Sequence, residues 1–261
     1  MLTSLHFLGT SAALPTGARG NVALALIGDP SQPGLLIDCG DGVYRALDRA
    51  GISPDAIGDL YITHAHIDHV GGLPSLLESF RLAGRRRALR IHALPETMKV
   101  ARDLVSVFAF ELTLDNWSFE VSFNTVDEDS KLTFLGAPAQ IYRMAHAIPS
   151  AGIRVELPGG VFAYTCDTEP TPNILKLGRQ ARLFITECTF LQKNVEFARH
   201  SKHMTASEAG QQAAACEVGT LALVHLGVGE EGWSQAEALS EASASYSGPI
   251  VIPLDGARLE L

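Results

Sequence analysis

Cysteine is scarce: Cys39, Cys166, Cys188 and Cys216 are the only four in 261 residues, widely scattered and without a CxxC pair. That spacing excludes a disulfide framework and a zinc ribbon, and predicts reduced, mostly buried thiols. Charge is also sparse at 19% of residues, and it leans acidic, with a net charge of -9 and a pI near 5.4. A surface that attracts nucleic acid over its whole extent is thereby excluded, because a polyanion is held chiefly by cations. No run reaches the roughly eighteen uninterrupted apolar residues that a spanning helix needs, and Met1 to Thr10 has no basic stretch leading into an apolar one. A cytoplasmic protein without a membrane partner is expected. What the chain does have is apolar content, 46% of residues, enough to bury a large core. No low-complexity linker divides it, so residues 1–261 are expected to form one domain.

Short segments enriched in β-branched and aromatic residues are interleaved with amphipathic stretches throughout. Strands are expected at 4–8, 22–27, 35–39, 60–63, 89–93, 119–126, 131–135 and 140–145. The second half continues the pattern at 153–156, 160–165, 183–186, 221–225 and 250–253. Helical periodicity covers 207–218 and 235–245, and an apolar helix is expected at 100–110. Proline and glycine clusters at 29–34 and 157–160 read as hairpin turns. The pattern predicts an α/β fold containing two sheets.

The densest chemistry lies at His64-Ala65-His66-Ile67-Asp68-His69, directly after the strand at 60–63. Imidazole nitrogen and carboxylate oxygen are the donors that Zn²⁺ and similar ions take. Alternating spacing on a loop points two imidazoles at one ion and the next pair at a second. A polar loop in which Asp68 merely caps a helix running through Leu76 and Leu77 is the plainer alternative, but it leaves so many crowded donors without a purpose. Three more donors, His146, Asp167 and His225, each follow or end a strand, where loops are free to converge. Arg81, Arg85, Arg86, Arg87 and Arg90 form a cluster that could meet phosphates or could simply complement a helix end. His6, His92 and His200 read as structural or surface residues. No GxSxG element supports a serine nucleophile, and nothing points to a cysteine one.

At these residues the chain resembles the metallo-β-lactamase superfamily, and within it the ribonuclease Z-like branch. The matching stretches are Leu8-Gly9-Thr10-Ser11 with Pro15, Leu36-Ile37-Asp38-Cys39-Gly40-Asp41-Gly42, and His64 to His69 continuing into Val70-Gly71-Gly72-Leu73-Pro74. Pro149 to Gly152 after His146, Tyr164 to Thr168, Glu187 to Phe190, His203 to Ala206 with Glu208-Ala209-Gly210, and Leu223 to Leu226 follow in the family's order. The resemblance implies a four-layer αββα sandwich with metals at one edge. It implies that His64, His66 and His146 hold one ion, that Asp68, His69 and His225 hold the other, and that Asp167 bridges them. The ions would be two divalent metals, zinc foremost, with Mn²⁺ or Fe²⁺ also accepted by such donors. A hydroxide between the metals would be the nucleophile, Asp68 would orient it or take its proton, and His203 would protonate the leaving oxygen. Asp38 and Asp41 would orient ligands or loops from behind.

One departure bears on substrate. Transfer RNA-maturing members of this branch usually carry a long arm between the residues matching His146 and Asp167, whereas here only twenty residues separate them. The leading expectation is therefore a phosphodiesterase for small or cyclic phosphodiesters, with RNA the lesser partner. A ribonuclease Z-type transfer RNA 3′ endonuclease, its arm replaced by the arginine cluster or a partner subunit, is the alternative. Hydrolysis of a thioester or lactone, and a non-enzymatic metal-dependent binding module, are further ones. The resemblance also allows a homodimer, with the apolar helix at 100–110 as interface or as core.

Overall fold

The computed structural model describes residues 3–108, 118–228 and 232–261. Strands β1 (Ser4–Gly9), β2 (Ala23–Ile27), β3 (Gly34–Ile37), β4 (Ile57–Ile62), β5 (Leu89–Ala93) and β6 (Val121–Thr125) build the first sheet. The second takes β7 (Leu132–Phe134), β8 (Ala137–Met144), β9 (Ser150–Leu157), β10 (Gly160–Tyr164), β11 (Leu183–Cys188), β12 (Thr220–Leu226) and β13 (Ile250–Val251). The chain then returns as β14 (Arg258–Glu260) to the edge of the first.

The strand orders are β14-β1-β2-β3-β4-β5-β6 and β13-β12-β11-β10-β9-β8-β7. In each sheet three antiparallel pairings are followed by three parallel ones, so β3 to β5 in one sheet correspond to β10 to β12 in the other. The clusters at 29–34 and 157–160 do connect antiparallel neighbours, as the turn chemistry predicts.

Alternation along the strands sets the layers. Leu5, Phe7, Leu24, Leu26, Leu35, Ile37 and Tyr61 face the second sheet, while Leu8, Ala23, Ala25, Leu36, Leu60 and Ile62 face a separate cluster beneath the outer helices. A period of two produces this split, since successive strand side chains point to opposite faces. The outer helices on that side are α1 (Val43–Arg49), the single turn α2 (Ile67–Val70), α3 (Leu73–Leu82) and α4 (Pro95–Val107). Over the second sheet lie α5 (Pro172–Gly178), α6 (Val195–Ser201), α7 (Ala206–Ala215) and α8 (Gln235–Ser243). The result is the expected four-layer αββα sandwich. Each fully buried leucine of the central layer contributes roughly 1.5–3 kcal/mol, so the interface between the sheets is the main source of cohesion.

Several expectations need correction. The helix expected at 100–110 starts earlier, at Pro95 in the N1 position, and Ala109 and Phe110 lie outside the described residues. Its Thr97, Met98, Ala101 and Val105 are core, and its exposed large hydrophobics, Val107 and Phe108, lie at its end. Three members of the arginine cluster, Arg81, Arg85 and Arg90, are engaged within the protein. Arg85 is 1% exposed, and its guanidinium donates to the carbonyls of Pro54, Ile57 (2.6 Å) and Ala88 (3.0 Å) beside the Phe80 and Phe119 rings. Arg90 pairs with Asp59 at 2.6 Å, and Arg81 pairs with Glu78. These contacts gather at the amino ends of β4 and β5, a strand's length from the histidine motif at the carboxyl end of β4. Among the described residues no helix is long and apolar enough to cross a membrane.

Candidate metal centre

The residues singled out in sequence meet at one edge, between the two sheets. His64 follows β4, and the next turn closes as α2, which carries Asp68 and His69. The loop after β3 packs against that turn: Cys39 N donates to His69 O at 2.7 Å, and Gly72 N to Cys39 O at 2.9 Å. A Cβ on Gly40 would lie 2.0 Å from Asp68 O, so only glycine admits this approach. His146 follows β8, Asp167 follows β10, and His225 lies within β12. The pairing of β11 with β12 steps from Glu187↔Val224 to Cys188↔Leu226, which leaves His225 as the extra residue of a bulge at φ 51°. A bulge re-aims the side chain it carries, and here it turns the imidazole inward. Asp38 (φ 63°) and Cys166 (φ 55°) hold left-handed conformations at equivalent strand ends, strain that clusters where side chains are aimed.

Four imidazoles are oriented from behind. His69 Nδ1 donates to Asp38 at 2.9 Å, and His146 Nδ1 to Lys202 O at 2.9 Å. The Thr63 hydroxyl donates to Asp38 and so accepts from His64 Nδ1 at 3.0 Å; the Thr189 hydroxyl donates to Glu187 at 2.7 Å and accepts from His225 Nδ1 at 2.9 Å. With each Nδ1 proton committed outward, every ring turns its Nε2 to the centre, the atom a metal would take. All four Nε2 atoms face Asp167 Oδ2, at 3.1 Å for His225, 3.4 Å for His69, 3.7 Å for His64 and 4.0 Å for His146. His66 turns its Nδ1 inward, 3.1 Å from both His64 Nε2 and His146 Nε2. Asp68 Oδ2 lies 3.4 Å from His69 Nε2 and His225 Nε2.

This donor set fits divalent metal. Bare nitrogens facing one another at 3.1 Å repel unless a cation or proton lies among them, and His69 Nε2 and Asp167 Oδ1 are buried without a hydrogen-bond partner. Candidate ligand atoms fall into the groups His64, His66, His146 with Asp167, and Asp68, His69 with His225, each within 4.8 Å. Asp167, His203 and His225 satisfy the same distance. Burial disfavours the charge on Asp167, but His225, His69 and His64 outweigh it and hold the carboxyl well below its ordinary range. Burial likewise pushes Asp38 up; even so, Thr63 N, Thr63 Oγ1 and His69 Nδ1 converge on its two oxygens, an arrangement that suits the carboxylate.

Sequence reasoning assigned no role to Thr63, Thr189, Glu187 or the Lys202 carbonyl. Glu187 is fully buried and accepts from Thr168 N (2.7 Å), Met204 N (3.1 Å), Thr189 Oγ1 (2.7 Å) and His203 Nδ1 (2.8 Å). Burial lowers the His203 pKa, but the charge and hydrogen bond of Glu187 prevail and raise it to about 9. Nothing local in the sequence marks these partners, because their roles depend on which histidines fold against the end of β11. Asp38 stands where expected, behind His69, whereas Asp41 is exposed and outside the centre. His92 bonds Asp59, His6 bonds Ser4, and His200 is exposed, as expected. All four cysteines are free and buried.

Residues 3–214 match the family model described as "Anti-Pycsar protein Apyc1", about four fifths of the chain. The chain belongs to the anti-Pycsar protein Apyc1 family. This Apyc1-family chain is also similar to proteins named ribonuclease Z. That of Haloarcula marismortui is 30% identical over 302 residues, covering 98% of this chain and 96% of the relative. That of Halorubrum lacusprofundi is 30% identical over 307 residues, covering 100% and 98%. Both alignments exceed the 261 residues of this chain, so both relatives carry insertions that it lacks. Among solved structures, the metallo-β-lactamase fold protein YhfI from Bacillus subtilis has a TM-score of 0.83 at 20% identity, each chain covered in full. Human tRNase Z, short form, has 0.77 at 24%, with 98% of each chain covered. The fold is thus the metallo-β-lactamase fold, and the Apyc1-family chain is a ribonuclease Z-like, metal-dependent hydrolase of that superfamily.

Proposed function

We propose that the chain is a dinuclear metal phosphodiesterase of the ribonuclease Z type. His64, His66 and His146 hold one ion, Asp68, His69 and His225 the other, and Asp167 is shared. The observation that carries this reading is the convergence of four imidazole Nε2 atoms on Asp167 Oδ2. Two divalent ions held there, zinc by donor type, would supply Lewis acidity and would acidify a water for attack near neutral pH. Asp68, anchored between His69 and His225, orients that water or takes its proton. His203 is the acid: Glu187 holds its Nδ1 at 2.8 Å, which leaves the Nε2 proton for the leaving oxygen.

The relatives named ribonuclease Z support RNA as the substrate, which the sequence alone ranked second. The arginine cluster is poorly placed to stand in for the missing arm: Arg85 and Arg90 are engaged within the protein, and the cluster lies at the opposite end of β4 and β5 from the centre. A small or cyclic phosphodiester is the second reading, and one observation favours it. Between His146 and Asp167 there is only the β9–β10 hairpin, and cations around the centre are engaged, Lys202 with Glu169 and Arg199 with Glu208.

Hydrolysis of bis(p-nitrophenyl) phosphate and of a precursor transfer RNA by metal-loaded protein, over a salt series, tests both. Efficient RNA cleavage that falls steeply with salt establishes the ribonuclease; diester cleavage without RNA cleavage establishes the small-substrate enzyme. Silence on both sinks the phosphodiesterase and turns attention to thioesters and lactones. His203→Ala is expected to lower kcat by about 10²–10⁴-fold with metal content unchanged, whereas Asp68→Ala loses activity together with metal.

A further inference from the structure

We infer that Lys202 is a positioning residue for the metal centre, its ion pair with Glu169 clamping the backbone carbonyl that orients His146. The inference rests on the metal reading above. Lys202 Nζ lies 2.7 Å from Glu169 Oε1, Glu169 N donates to Ala145 O at 2.9 Å, and His146 Nδ1 donates to Lys202 O at 2.9 Å. These three contacts, with the Ala145–His146 peptide, close a ring that includes one proposed ligand. Its other members adjoin two more functional groups, since Glu169 is two residues beyond Asp167 and Lys202 immediately precedes His203.

The backbone at Lys202 sharpens the point. It ends α6 in the left-handed region, φ 62° and ψ 47°, where glycine is the least strained choice. A lysine at a position whose backbone suits glycine puts the requirement on the side chain. Side-chain exposures of 45% and 22% mark a pair that adds little to overall stability. Its effect is directed instead at the carbonyl it immobilises. Partners behind a metal-bound histidine typically change metal affinity by 10–100-fold.

The sign of the effect separates clamping from simple electrostatics. Removing a cation beside bound dications strengthens their binding if only charge matters, whereas loss of a clamp weakens it. The test uses the full chain with Lys202→Met, Lys202→Arg, Glu169→Gln and the Met/Gln double substitution. Zinc affinity is read by competition with a chromophoric chelator, and the melting temperature is read on metal-stripped protein. Lys202→Met and Glu169→Gln are each expected to weaken zinc binding about tenfold, with the double no worse than either. Lys202→Arg should retain most of the affinity, and the metal-stripped melting temperature should not move. Unchanged or tighter zinc binding by Lys202→Met overturns the inference, as does a matching loss of metal-free stability. Wild-type protein that takes up no divalent metal would sink the metal reading itself.

Discussion

Asp59 and Asp167 are both buried carboxylates, yet they answer to different partners. Asp59, in β4, receives Arg90 Nε at 2.7 Å and His92 Nε2 at 2.9 Å. Burial raises its pKa, but the bonds from His92 and Arg90 win and hold it below the ordinary carboxylate value. A depressed native pKa contributes stability that is present above the unfolded value and lost as pH falls through the native one. Asp59→Asn should therefore cost about 1–3 kcal/mol at pH 7, and the deficit should shrink below about pH 4. Urea unfolding at pH 7 and pH 3 checks this, and a deficit that does not change with pH would refute it. At the centre, His64 to His69, His146, Asp167 and His225 were legible as ligand types in sequence. Their outward partners Thr63, Thr189 and Glu187 were not, because ordinary residues acquire such roles only through what folds behind them.

At the scale of elements, patterning located the strands well and their ends less well. Of the residues at 60–63, the first three proved to be the last part of β4, which runs from Ile57 to Ile62. Short pieces escaped notice: α1, α5 and α6 have seven residues each, too few for a clear helical period, and β14 is a charged three-residue edge strand. The bulge that turns His225 inward carries no local signal, since it depends on how β12 registers against β11. Arg85 belongs to this scale because it ties the turn at Pro54 to the starts of β4 and β5. Burial pulls its pKa down to about 10. Arg85→Ala leaves three carbonyls without their donor and should cost about 2–4 kcal/mol in urea unfolding. The salt dependence of any RNA cleavage should stay the same, and a flattened salt slope would restore the arginine cluster as an RNA contact.

For the whole molecule, the centre joins two sheets that are held elsewhere by apolar packing and by hydrogen bonds such as Tyr61 Oη to Ala151 O and Leu226 N to Thr10 O. His64, His66, Asp68 and His69 come from the first sheet, and His146, Asp167 and His225 come from the second. Divalent ions held across that seam, as proposed, would stabilise the native state by mass action. Chelation should abolish hydrolysis and lower the melting temperature, and added Zn²⁺ or Mn²⁺ should restore both. A melting temperature indifferent to chelator would show that the seam does not depend on metal.

The sequence by itself determined the layers and the chemistry. Strand alternation selects which residues face which neighbour, and the HxHxDH spacing fixes four donors on one short loop. Only the tertiary structure decided the geometry of the site. It brought Asp167 against four imidazoles, turned three of those rings by partners distant in sequence, and moved the arginines to the far end of β4. Such contacts arise between segments as much as 157 residues apart, as with Asp68 and His225, where no local pattern constrains the approach and packing alone sets it.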